Sequence, residues 1–173
     1  MHFERLRTYE DKLYLDAIKL YNISFPFHEQ RKSSLQVEIM NYEEYQFNLI
    51  YDEKDMVGIL LCWDTESFIY VEHFCINPQM RNKKYGKRAL ELLNQRGKTV
   101  ILEIDPPINE ISISRKGFYE RGGYKANNFE HIHPPYHEEF KGHQLIVMSY
   151  PEKLTEVEYG NFNQYLRTTI MGE

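Results

Sequence analysis

The chain has 173 residues, of which 42% are hydrophobic, 14% aromatic and 27% charged, with a net charge of −5. That length fits one domain with at most an extension, and folding at this size removes roughly 70% of the unfolded chain's surface from water. The composition excludes disorder, collagen and coiled coil for the whole chain, no apolar run approaches the ~18 residues of a membrane span, and the acidic balance argues against nucleic acid as a partner. The charged residues 1–12 lack the apolar stretch of a signal peptide. Cys62 and Cys75 sit in apolar runs, which predicts reduced, buried thiols and a cytoplasmic location.

Residues 2–7 alternate like an edge strand. Residues 9–25 follow a helical period, with Leu13, Ala17, Leu20, Tyr21 and Ser24 on one face, until Pro26 stops them. Residues 26–34 read as a polar loop, after which Ser33 or Ser34 caps a short helix over 35–40. Residues 46–51 and 56–63 are extended runs joined by Asp52-Glu53-Lys54-Asp55, a hairpin. A third strand covers 68–76 and ends at Asn77-Pro78. A helix is predicted over 81–96, with Tyr85, Ala89, Leu92 and Leu93 inward and Gly97 as its stop. Residues 99–104 form a continuous apolar strand. A helix over 110–121 is closed by Gly122-Gly123, and Tyr124 begins an extended stretch. Residues 131–142 read as a polar, histidine-rich loop and 143–150 as the last strand. Thr155 and Glu158 have capping-box spacing and open a helix to about 170. This order predicts an α+β, or mixed α/β, fold.

The segment from Val71 to Leu93 carries the chemistry. Its loop and first helical turn hold Arg81, Lys83, Lys84, Lys87 and Arg88, with Gly86 among them, a local reversal of the chain's acidic sign. A helix start already presents unpaired N–H groups and a partial positive charge. Cations gathered there point to an anion, and a diphosphate is the obvious one.

The same residues resemble the acetyl-CoA-binding motif of the GNAT superfamily of N-acyltransferases, V-x-P-x-x-Arg/Gln-x-x-Gly-x-Gly/Ala. Ile76, Pro78, Arg81, Lys84 and Gly86 match in order, followed by Ala89-Leu90, with Lys84 standing where the family has its first glycine. A second stretch, Ser114 to Tyr124, is similar to the family's next helix: Phe118-Tyr119 supplies the aromatic-Tyr pair and Gly123-Tyr124 the ending. Ser112 takes the place of a family Asn that contacts the cofactor.

The resemblance implies a central, mostly antiparallel sheet with splayed parallel strands, flanked by helices, and acetyl-CoA as acyl donor. It implies that Phe74, Cys75 and Ile76 pair with the pantetheine arm. Arg81, Asn82, Lys83, Lys84, Tyr85, Gly86 and Lys87 would meet the phosphates, and Ser112 and Tyr119 would also face the cofactor. It gives Tyr119 the role of general acid. Glu103 matches a base in the ribosomal-protein Nα-acetyltransferases of the family, and Glu72 lies where many members place one. Strand alternation puts Glu72 and His73 on opposite faces, so they are alternatives, and a water chain is a third route. Phe27 and His28, with Glu72 and Glu103, are the candidate acceptor-binding residues. The histidines of the 131–143 loop match no zinc spacing, so no metal is expected. The reading is a transferase domain over 1–150 with a C-terminal helical extension over 151–173. That extension carries an apolar stripe to pack on the domain or on a partner subunit of a homodimer. The expected activity is acetyl transfer to a primary amine; the alternative is a non-catalytic acyl-CoA-binding or regulatory module.

Overall fold

Most neighbouring strands pair antiparallel. The computed structural model describes residues 1–173 and divides into two compact units, Met1–Val100 and Ile101–Glu173. The elements form a mixed α/β fold with mostly antiparallel strands and five α-helices. None of the helices is long and apolar enough to cross a membrane.

In the first unit, β1 (His2–Leu6) pairs with β2 (Tyr45–Asp52), β2 with β3 (Asp55–Asp64), and β3 with β4 (Phe68–Ile76), all antiparallel. Asp52 faces Asp55, so the β2–β3 hairpin turns where the sequence places it. The interior is made by Phe47, Leu49, Ile59, Leu61, Trp63 and Ile69, each with no exposed surface. Burying each such side chain contributes about 1.5–3 kcal/mol relative to leaving it in water. Gly58 in β3 allows a close strand approach: a Cβ there would lie 2.3 Å from the Cys75 carbonyl oxygen.

Three helices complete this unit. Helix α1 (Tyr14–Ser24) buries Ala17, Leu20 and Tyr21, as its period predicts. It starts later than position 9 because the Asp11 carboxylate accepts the Leu13 N–H (2.9 Å), holding the preceding residues in turns. Helix α2 (Ser33–Ile39) is short, and its N-terminus has no side-chain cap. Helix α3 (Tyr85–Asn94) buries Ala89, Leu90 and Leu93. It begins four residues after the predicted start, because Pro78–Met80 forms a 3-10 turn and Asn82 and Lys84 are left-handed.

The boundary between the units falls inside β5 (Thr99–Ile104). Helix α4 (Glu110–Arg121) opens on a capping box between Asn109 and Ser112 and ends at Gly122. Strand β6 (Lys125–Ala126) follows it. Two residues on each side, β7 (Ile132–His133) and β8 (His143–Gln144), then form a small separate ladder. The predicted polar loop is therefore tied at both ends. Gly142 makes this tie possible, since a Cβ there would lie 2.6 Å from Ile132 Cγ2. Strand β9 (Ile146–Tyr150) lies between β5 and β6.

Helix α5 (Glu156–Tyr165) has the predicted Thr155–Glu158 capping box and continues as a wide π turn, Leu166–Ile170. Phe162 and Leu166 are fully buried. Asn127 links this segment to the strands of its unit. Its Nδ2 donates to the Val147 carbonyl (3.2 Å) and its Oδ1 accepts the Leu154 N–H (2.8 Å).

Candidate functional site

The loop before α3 keeps the shape of a glycine-containing turn without the glycine. Lys84 has φ 62° and Asn82 φ 65°, the left-handed region. Asn tolerates it, whereas a lysine there costs roughly 1–2 kcal/mol. The N–H groups of Tyr85, Gly86 and Lys87 fall in the first turn, where a helix leaves its donors without intrahelical acceptors. Arg88 is committed elsewhere: its guanidinium binds both Asp52 oxygens (2.9 and 2.6 Å), which holds Asp52 below the usual carboxylate range. Lys87 lies 3.6 Å from Glu91. Arg81, Lys83 and Lys84 are exposed and make no ion pair, so they remain for an external anion.

Strand β4 presents Phe74, Cys75 and Ile76 opposite Leu60, Ile59 and Gly58. Burial pushes the Cys75 thiol up, which disfavours its thiolate. At Glu72 the strand bulges: Leu61 pairs with His73, the next pair is Cys62 with Val71, and Glu72 is the extra residue. This corrects the strict alternation expected from the sequence, because a bulge breaks the period of two. Glu72 and His73 consequently approach each other, His73 Nδ1 lying 3.9 Å from Glu72 Oε1.

The Glu72 carboxylate is almost wholly buried, and both its oxygens are engaged. Arg31 Nη2 donates to Oε1 (2.7 Å) and Trp63 Nε1 to Oε2 (2.8 Å). His73 Nε2 lies 2.8 Å from the Glu29 carbonyl, and the Arg31 N–H donates to the Tyr21 hydroxyl (2.9 Å). Burial pushes the Tyr21 phenol well up. Phe27 and His28 sit in the 3-10 turn Phe27–Glu29, with Phe27 exposed and His28 Nε2 3.7 Å from Glu29 Oε1.

In the second unit, Tyr119 is buried on α4, edge-on to Phe118 (5.2 Å) and Tyr124 (5.7 Å). Burial raises its phenol to about 12, against a smaller opposing effect of Arg115. A neutral solution therefore finds it fully protonated. Ser112, also buried, serves the start of α4. Its N–H donates to Asn109 Oδ1 (2.9 Å), and its hydroxyl accepts from the Asn109 and Ile108 N–H groups (3.1 Å each). Beside it lies a shallow cavity of ≈ 220 Å³ whose lining includes Asp105, Ile108, Asn109, Ser112 and His143.

Glu103, on β5, is buried among histidines. Its Oε1 accepts from His131 Nε2. Its Oε2 faces His133 Nε2 at 3.8 Å. His131 Nδ1 in turn meets the Tyr159 hydroxyl (3.0 Å), which also lies 3.3 Å from the Glu130 carbonyl. Tyr159 comes from α5 and is stacked flat on Phe129, ring centres 4.0 Å apart, while Phe162 covers His131 from the same helix. Burial raises the Tyr159 phenol, the Glu103 charge adds to the rise, and Arg167 opposes both. The sequence alone places His131 and His133 in a polar loop and marks no role for Tyr159. The signal available was the alternation His131-Ile132-His133, which in an extended segment puts two imidazoles on one face.

A family model described as "Acetyltransferase (GNAT) domain" matches residues 18–133. Among solved structures, a Bacteroides thetaiotaomicron protein assigned as a GNAT-family acetyltransferase is 30% identical. The match covers 100% of this chain and 99% of that one, with a TM-score of 0.93. A Bacillus subtilis acetyltransferase in complex with CoA is 14% identical over 86% of this chain and 96% of its own, TM-score 0.55. A GNAT-family acetyltransferase from Elizabethkingia anophelis with acetyl-CoA bound is 9% identical over 86% and 95%, TM-score 0.56. The last two, at such low identity, bear on fold alone.

Proposed function

The chain belongs to the GNAT acetyltransferase family, and we propose that it transfers an acetyl group from acetyl-CoA to a primary amine. Acetyl-CoA supplies the activated thioester; the chain's residues bind it and move protons. Arg81, Lys83 and Lys84, with the open N–H groups of Tyr85, Gly86 and Lys87, suit its phosphates. The backbone of Phe74, Cys75 and Ile76 suits the amides of its arm. Ser112, already bound within the α4 cap, acts by holding that helix start rather than by reaching out.

The observation that carries this reading is Tyr119: a buried phenol, held protonated by burial, in the position of the family's general acid. It donates to the departing thiolate. Of the two carboxylates, Glu103 is the better base, because both Glu72 oxygens are taken by donors that do not titrate. Glu72 positions the Arg31 segment, next to Phe27 and His28, for the acceptor. The transferase domain spans residues 1–150 with 151–173 as its helical extension, and the chemistry needs no metal. The free thiols of Cys62 and Cys75 support a cytoplasmic location.

The deciding experiment offers acetyl-CoA with a panel of primary amines and follows free CoA thiol. Amine-dependent release is expected. Tyr119→Phe should lower kcat by ~10²–10⁴ with little change in acetyl-CoA affinity. Absence of any protein-dependent thiol release with every amine would favour the non-catalytic acyl-CoA-binding module, for which the lysine at position 84 is the motivating feature.

A further inference from the structure

We propose that His73 is a positioning residue for the acceptor amine: its Nε2–H holds the Glu29 carbonyl and, together with the Glu72–Arg31 pair, fixes the turn that carries Phe27 and His28. This deepens the reading of Phe27 and His28 as acceptor contacts and rests on it. In a regular strand Glu72 and His73 would point to opposite faces. The bulge in β4 removes that restriction. Glu72 is the extra residue between the pairs Leu61–His73 and Cys62–Val71, and both side chains reach one segment of the chain. Glu72 Oε1 accepts from Arg31 Nη2 (2.7 Å), and His73 Nε2 lies 2.8 Å from the Glu29 carbonyl. Two consecutive strand residues thus clamp positions 29 and 31.

The partner of His73 sets where its hydrogen sits. A carbonyl oxygen only accepts, so Nε2 carries the hydrogen and donates it. The Tyr21 hydroxyl, 3.5 Å from the same nitrogen, accepts the Arg31 N–H (2.9 Å). Tyr21 and Phe25 meet the imidazole edge-on, with ring centres 4.9 and 4.7 Å away, and hold its plane. Between the clamps, Gln30 Nε2 donates back to the carbonyls of Phe25 (2.6 Å) and Asn22 (3.1 Å) at the end of α1. Glu29, Gln30 and Arg31 are therefore each tied to β4 or α1.

Phe27 and His28 stand immediately before these ties. The Glu29 and Gln30 N–H groups close the turn onto the Pro26 and Phe27 carbonyls (2.9 and 3.0 Å). Phe27 is nevertheless 60% exposed. A large aromatic side chain held out on a fixed backbone offers a contact surface that needs no ordering when a ligand arrives. Removing the His73 donor restores that ordering cost to acceptor binding. It leaves the start of α3, where the donor phosphates are read, untouched. His73 acts through the Glu29 carbonyl and touches neither the amine nor the thioester.

Two substitutions and two readouts test this. The amide nitrogen of a glutamine reaches the place of Nε2, so His73→Gln keeps the donor and His73→Leu removes it. With the panel amine turned over fastest, His73→Leu should raise the KM for that amine roughly tenfold, with kcat and the KM for acetyl-CoA nearly unchanged. His73→Gln should recover most of that loss. Amide hydrogen exchange over residues 27–31 should quicken in His73→Leu and stay at the wild-type rate in His73→Gln. Equal losses in both variants, a fall in kcat at constant KM, or unaltered exchange over 27–31 overturns the proposal. Should His73→Leu fail to fold, Tyr21→Phe, which keeps the ring and removes the acceptor of the Arg31 N–H, should raise the same KM about threefold, and no change there overturns it equally. Quickened exchange with an unchanged amine KM shows the clamp to be structural and takes Phe27 and His28 out of the acceptor site. Absence of amine-dependent turnover in the wild type instead removes the transferase reading beneath it.

Discussion

Glu72 and Glu103 are both buried carboxylates, one in each unit, and they differ in the company they keep. Glu72 faces a guanidinium and an indole N–H. Neither gives up its proton near neutral pH, so each Glu72 oxygen faces a fixed donor. Glu103 faces imidazoles, whose ring nitrogens can each donate or accept. Burial alone therefore does not mark a catalytic carboxylate. The distinguishing property proposed here is whether its neighbours can only donate, as around Glu72, or can also accept, as around Glu103.

The largest effect expected from this contrast is on stability. Arg31→Met strips Glu72 of its cation and leaves a buried charge unpaired, a loss of about 3–5 kcal/mol, seen as a lower denaturation midpoint. Adding Glu72→Leu to that variant should restore most of the loss, since two apolar groups replace a desolvated pair. Failure of the second change to rescue the first would mean that the ion pair is not what the site stabilises.

On catalysis the order reverses. Glu103→Gln should lower kcat by about 10²-fold, roughly 2.7 kcal/mol, with the melting temperature nearly unchanged and the deficit shrinking as pH rises. Glu72→Gln should cost stability and leave that pH profile intact. Interchanged outcomes would reverse the two assignments. A tenfold loss of acetyl-CoA affinity, about 1.4 kcal/mol, is expected for Gly86→Asp, measured by calorimetry, because a carboxylate then meets the diphosphate. Unchanged affinity in a folded variant would remove the α3 start from the site.

The smallest effect concerns the helix that brings Tyr159. Thr155→Ala should destabilise by about 1 kcal/mol through loss of the cap. The Glu158 carboxyl is held below its ordinary value by the Thr155 N–H and hydroxyl. A depressed carboxyl stabilises above its unfolded value of about 4.5 and loses that contribution as pH falls through its lower folded value. Wild type and Thr155→Ala should therefore converge in acid, and denaturation curves between pH 6 and 3 would expose a divergence.

Much of the architecture was legible from local chemistry. The 52–55 turn, the Asn77-Pro78 stop, the Gly122-Gly123 closure and the Thr155–Glu158 box each depend on residues close in sequence, and each stands where expected. The bulge at Glu72 was not legible, because an extra residue in a strand leaves no compositional trace, and its pairing is set by β3. Lys84 in a left-handed turn was half legible: the motif marked the position, while the residue type argued against that conformation. The environment of Glu103 was the least legible. It joins residues 28 positions apart in the pairs Glu103–His131 and His131–Tyr159, and tertiary packing of that kind has no local signature.

The stack of Phe129 on Tyr159 also has a consequence for synthesis. A nascent chain grown just past residue 150 already contains Glu103, His131 and every ladder strand, but lacks the phenol and the Phe162 ring that enclose His131. At that stage water has access to the imidazole–carboxylate contact. That cover arrives only when α5 emerges and docks, so enclosure of His131 trails completion of the strands by the time needed to translate about twenty more codons, roughly 1–4 s at 5–20 residues per second.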